Sequence, residues 1–139
     1  EHAARGLVEA GLIRLHGVEE RSAALAHQQR AHVLLLIDHV RPWPATNVPG
    51  KLYEYLAAAR PVLALGGEGM VQRMVRELDL GFFAQADDPV AIRRTLEELY
   101  ALFRRDGLRT RLRPQVLRRY HRRELTRELA QIFDRLVQQ

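Results

Sequence analysis

The sequence predicts an α/β fold: a Rossmann-like, doubly wound parallel sheet, partial at about four strands, with long C-terminal helices. Three observations predict it. Short apolar runs at 12–15, 32–38, 62–65 and 81–84 alternate with helix-forming stretches, which is the rhythm of βαβ units. The run HVLLLID at 32–38 is almost continuously apolar, as strands are when a parallel sheet is covered on both faces. From Pro89 onward only helical periodicity remains.

Leu12 to Leu15, closed by His16-Gly17, reads as the first strand, and Arg21 to Ala31 as a helix of good formers with few breakers. Residues 32–38 form the next strand, predicted to be central. HVRPWPATNVP at 39–49 carries three prolines and reads as a loop; Trp43 within it serves either as a loop anchor or as a stacking surface for a ligand. Gly50 to Arg60 places Leu52, Tyr55, Leu56 and Ala59 on one helical face, and Arg60-Pro61 ends that helix. Val62 to Leu65 is a strand stopped by Gly66-Gly67, Glu68 to Asp79 a helix, and Gly81 to Ala84 a last strand. Asp88-Pro89 is a capped helix start with proline at the first position, and the helix runs to about Arg105. Past Asp106-Gly107, residues 114–137 read as one long amphipathic helix. Its stripe is Leu117, Tyr120, Leu125, Leu129, Ile132, Phe133 and Leu136, with arginines on the other side, and 113–139 is expected to pack back on the body.

A length of 139 residues predicts one domain. With no cysteine, disulfides and thiolate catalysis are excluded. The run Val33 to Ile37 is too short to span a bilayer and no signal peptide is visible, so a cytoplasmic location is expected. The chain opens at Glu1 without methionine, on residues that read as the end of a helix; a truncated domain is the expectation. Residues 93–139 hold thirteen arginines against six acids, a balance of +7 that leaves −2 for the rest of a chain whose net charge is +5. Such a tail suits nucleic acid, an anionic membrane surface or a phosphorylated ligand, or is simply a solvated helix face.

Ligands of open parallel sheets bind beyond the carboxyl ends of the strands. Three places qualify. In the first, Asn47-Val48-Pro49-Gly50 leads into a helix carrying Lys51, the one lysine of the chain. Free N–H groups there can receive phosphate oxygens and Gly50 allows close approach. Lys51 supplies a point charge, and Glu54, on the same face, can accept both hydroxyls of a ribose. Against this, Lys51 and Glu54 make an ordinary exposed i,i+3 pair. The second is Gly66-Gly67-Glu68-Gly69, which a turn with positive φ explains equally well and which matches no dinucleotide or P-loop spacing. The third is Asp38 at a strand end, as in a phosphate-accepting receiver, but the acidic pair and strand-end lysine of that fold are missing. The histidines at 2, 16, 27, 32, 39 and 121 show no paired ligand spacing, so no metal is expected. No Gly-x-Ser-x-Gly elbow is present.

NVPGKLYEYLAAARPVLAL resembles the stretch written loosely as PxKxxEYLAxGxPVxA in the C-terminal domain of group 1 type glycosyltransferases of the GT-B fold. Flanking segments extend the resemblance over nearly the whole chain: LIRLHG, HVLLLI, LGFFAQADDPVAI and RRYHRREL. It implies a domain that binds a nucleotide-diphosphate sugar without a metal, for transfer with retention to an acceptor held by a separate N-terminal domain, as in polysaccharide biosynthesis. Glu54 corresponds to the glutamate that holds the ribose, and the backbone around Pro49 and Gly50 to the diphosphate-binding helix start. The donor-binding candidates are thus Thr46, Val48, Pro49, Gly50, Lys51, Glu54, Gly66 and Gly67, with catalytic residues expected outside this chain. Where many members carry a second glutamate, this chain has Thr46, which leaves the donor sugar open.

The family sheet has the strand order 3-2-1-4-5-6, and this chain corresponds to the part beginning just before the third strand. The resemblance therefore implies missing central strands and no turnover by the chain alone. Its first strand would pair directly with the next, or an exposed edge would recruit a second copy. In the full enzyme the arginine-rich helices would meet the acceptor domain or the inner face of the membrane. The competing class is a non-enzymatic Rossmann-like domain that binds nucleic acid through its basic tail.

Overall fold

The structure, a computed structural model, describes residues 2–40, 44, 46–108 and 114–137. Trp43 lies outside them. The elements are α1 (His2–Glu9), α2 (Arg21–Arg30), β1 (Leu34–Ile37), α3 (Gly50–Ala58), β2 (Val62–Gly66), α4 (Met70–Glu77), β3 (Gly81–Gln85), α5 (Pro89–Asp106), α6 (Pro114–Arg119) and α7 (Arg122–Val137). The strands form one parallel sheet in the order β1-β2-β3, with Leu34 opposite Val62 and Val62 opposite Gly81.

Alternation along the strands sends side chains to two layers. Leu34, Leu36, Val62, Ala64 and Phe83 meet Leu52, Tyr55 and Leu56 of α3 and Val71, Met74 and Val75 of α4 in the main core, with Leu117 and Tyr120 at its margin. On the opposite face Val33, Leu63, Leu65 and Phe82 pack with Leu99, Leu102 and Leu108. Helices therefore pack on both faces, as βα crossovers require, although one face is covered only in part.

The sheet differs from expectation in two ways. It has three strands among the described residues, not four: residues 12–15 are irregular. The amides of Leu12 and Ile13 both donate to the Leu7 carbonyl, at 2.9 and 3.1 Å, so they close the end of α1 and are not offered to a ladder. In addition, β1 is an edge strand and not a central one. Its Leu34 and Leu36 are buried, but Leu35 and Ile37 are 49% and 70% exposed, because α5 packs over β3 and leaves β1 uncovered on that face. An apolar run states what a strand can bury, while neighbours decide what it does bury.

The other helices lie close to the predicted bounds. Asp88 caps α5, its Oδ1 accepting from the amides of Val90 and Ala91 at 3.0 and 2.9 Å, with Pro89 in the first turn. Gly107, at φ 74°, ends α5 in the left-handed conformation that favours glycine. The long helix expected over 114–137 is two helices. At the break, His121 Nδ1 accepts from the amide of Arg123 at 3.3 Å and starts α7 anew. Leu117 of α6 and Tyr120 just beyond it add to the core; α7 has no buried residue, and Leu125, Leu129, Ile132, Phe133 and Leu136 are exposed.

Candidate functional site

The carboxyl edge of the sheet is where β1 leaves through Asp38 and β2 through Gly66. α3 must run from this edge back to the start of β2, because only Ala59, Arg60 and Pro61 separate its end from Val62. Its N-terminus, with the candidate residues, therefore faces the carboxyl edge. α2 lies beside α3 in the same direction, and two contacts fix the alignment: Arg21 Nη2 to Glu54 Oε1 at 3.2 Å near one end, and Arg60 Nε donating to the Gln29 carbonyl at 2.7 Å near the other.

Pro49 is the N-cap of α3, and no side chain caps this start. The first amides of a helix lack intrahelical partners, so those of Gly50 and Lys51 face outward. Gly50 is exposed, and a Cβ added there would meet nothing within 4 Å. Thr46 and Lys51 are exposed, while Val48 is half-buried against the main core and so pins the approach to the helix. The floor beneath is Tyr55, whose hydroxyl donates to the Leu35 carbonyl at 3.1 Å. Burial, and secondly the Glu54 carboxylate, raise the Tyr55 pKa above its ordinary value, which keeps the phenol neutral and the hydrogen bond intact.

Glu54 is half-buried, its side chain 35% exposed against 77% for Arg21. This partner was not foreseen in the sequence, since Arg21 is remote along the chain and nothing in its own segment marks it. An exposed pair of this kind contributes about 0–1 kcal/mol, so Arg21 holds the Glu54 carboxylate only weakly.

Gly66 ends β2, and Gly67 follows it on the way to α4. Gly66 is buried: its carbonyl accepts from the Ala86 amide at 3.1 Å, and an added Cβ would lie 3.2 Å from the Cβ of Asp38. Asp38 is thus packed against a glycine at the strand ends, its amide donating to Leu65 at 2.7 Å and its carboxylate accepting from the His39 amide at 2.8 Å. The positive φ in this turn falls at Gly69, at 150°, and not at Gly66 or Gly67. The absence of side chain at Gly66 therefore serves close packing.

A cavity of about 420 Å³ opens on the other, amino edge, between Pro61, Leu80, Gly81, Phe82, Leu102 and Leu108. It lies away from the strand ends where open parallel sheets bind ligands, and none of the candidate residues lines it.

A second group of polar side chains was not legible from spacing. His16, Glu19 and His27 each place a potential ligand atom within 4.8 Å of the other two. Sequence spacing gave no sign of this grouping, which the expectation of no metal site did not consider. His16 and His27 are far apart in sequence and come together only because the 12–20 segment lies along α2. No helix among the described residues is long and apolar enough to cross a membrane. No family model, curated protein or solved structure matches this chain.

Proposed function

We propose that this chain carries the nucleotide-sugar half-site of a glycosyltransferase of the GT-B type, on a partial Rossmann-like domain, with the acceptor domain and the catalytic residues supplied by another part of the full enzyme. The observation that carries the reading is the setting of NVPGKLYE: a loop entering an uncapped helix start at the carboxyl edge of a parallel sheet, with Lys51 in the first turn and Glu54 one turn on. In this reading the Gly50 and Lys51 amides receive the diphosphate, the Lys51 ammonium neutralises it, and Glu54 exchanges Arg21 for the ribose hydroxyls. Thr46 and Val48 shape the entry, and Gly66-Gly67 keep the neighbouring turn low enough for the ligand to pass. The protein acts in the cytoplasm, and its exposed arginines meet the inner membrane face.

The test is titration of the purified chain with UDP, GDP and ADP at moderate salt, beside a Glu54→Ala variant of verified fold. Saturable binding of one nucleotide, weakened about tenfold or more in the variant, supports the reading, because removing a partner from bidentate hydroxyl recognition costs at least about 1.4 kcal/mol. Equal binding by both proteins removes Glu54 from the site and the reading with it. The nucleic-acid alternative rests on the exposed arginines of α6 and α7; binding of that kind weakens steeply with salt and ignores Glu54.

A further inference from the structure

We propose that His16, Glu19 and His27 form a binding site for a divalent metal of the zinc class, and that the bound ion clamps the 12–20 segment onto α2. The proposal is independent of the glycosyltransferase reading.

The Glu19 carboxylate lies between the two imidazoles and turns one oxygen to each. His16 Nδ1 is 3.0 Å from Oε1 and His27 Nε2 is 3.3 Å from Oε2, and the ring centroids are 4.6 Å apart with the planes tilted by 60°. Ligand atoms on a tetrahedral zinc with bonds of about 2.0–2.1 Å stand roughly 3.3 Å from one another. Each nitrogen already stands near that spacing from a carboxylate oxygen, though from a different one, and the three ligand atoms lie within 4.8 Å of one another; a modest inward turn of the exposed side chains brings both imidazoles round a single ion that the carboxylate meets through one oxygen or both. Two imidazoles with one carboxylate suit zinc and its neighbours in the first transition row, whereas magnesium and calcium require oxygen ligands.

The chain around the cluster supports the same assignment. Gly17 at φ 70° makes the bend between His16 and the residues that follow it, while His27 reaches in from α2. Beyond the bonds from the Leu12 and Ile13 amides to Leu7, little among the described residues holds the segment between α1 and α2. Leu12, Leu15 and Val18 are 75%, 78% and 105% exposed, so they provide no hydrophobic anchor. Exposed hydrogen bonds and ion pairs contribute at most about 1 kcal/mol each and cannot order a nine-residue segment against the entropy it loses. A metal ion joining Glu19 and His16 to α2 supplies the missing cross-link. The side chains remain 26% to 44% exposed, which leaves water access to the remaining coordination positions.

The experiment is calorimetric titration of the metal-stripped 139-residue chain with zinc chloride in a non-chelating buffer near neutral pH. One equivalent is expected to bind with micromolar or lower Kd, magnesium and calcium giving no comparable heat. His16→Ala, His27→Ala and Glu19→Gln should each weaken binding by at least the tenfold or so that loss of an outer-shell partner causes, while His39→Ala and His121→Ala leave it unchanged. Hydrogen exchange should slow in residues 12–20 when zinc is added. Absence of binding at millimolar zinc, or one-equivalent binding that persists in the folded His16→Ala/His27→Ala double variant, overturns the site. Binding with unchanged exchange in 12–20 overturns the clamp.

Discussion

Single residues fix the sheet more tightly than their chemistry suggests. Gly81 stands opposite Val62 at φ 148°, and a Cβ there would lie 2.2 Å from the Val62 carbonyl oxygen. Gly81→Ala is therefore expected to cost about 3 kcal/mol or more through strain and displaced strand pairing, read as a drop in the urea midpoint with the slope retained. Leu52, fully buried between α3 and the sheet, should lose about 2–5 kcal/mol as Leu52→Ala. Tyr55 makes stability depend on alkaline pH. Its folded pKa lies above the ordinary value near 10, so the unfolded chain gives up this proton first. The contribution is complete below about pH 10 and is lost as pH rises through the raised folded value. Unfolding curves between pH 9 and 11 should show a smaller alkaline loss for Tyr55→Phe than for the native chain; equal losses would assign the effect to another group. The patterning that placed Leu52 and Tyr55 on one helical face was legible in sequence, whereas the carbonyl that Tyr55 reaches was not.

At the scale of elements, capping signals were the most readable. Asp88-Pro89 marked the start of α5, and Asp88→Ala should cost about 1 kcal/mol through two lost amide partners. The pairing of α2 with α3 was unreadable, because it depends on side chains meeting across helices that β1 separates in sequence. It yields a distinguishing prediction. Arg21→Ala should change stability by less than about 1 kcal/mol and, on the proposed donor-site reading, leave nucleotide affinity equal or higher, because it frees Glu54. A loss of affinity as large as that of Glu54→Ala would make Arg21 part of the site itself. The division between α6 and α7 also escaped periodicity, since both share one apolar stripe and only the local bond from Arg123 to His121 interrupts it.

Among the described residues the whole molecule presents two exposed apolar features. β1 has no strand on its outer edge among the described residues, where Tyr55 occupies the Leu35 carbonyl, and Leu35 and Ile37 are exposed beside it, a combination that invites pairing with a second copy. Sedimentation is expected to show concentration-dependent association that Ile37→Lys abolishes; a native chain that stays monomeric at high concentration counts against it. α7 keeps its arginines and its apolar stripe in solvent, and on the proposed reading, replacing Arg118 and Arg119 of α6 and Arg122 and Arg123 of α7 with glutamine should reduce binding to anionic vesicles. Unchanged vesicle binding would remove the proposed membrane contact. By itself the sequence determined the α/β class, most helix and strand positions after residue 20, and the helix start that bears Lys51 and Glu54, because propensity, proline and glycine act locally. Only the tertiary structure decided that residues 12–15 are not a strand, that β1 lies at an edge, that Glu54 faces Arg21, and that His16, Glu19 and His27 converge. Each of these depends on which distant segments become neighbours, and on which hydrogen bonds are already spent when they meet.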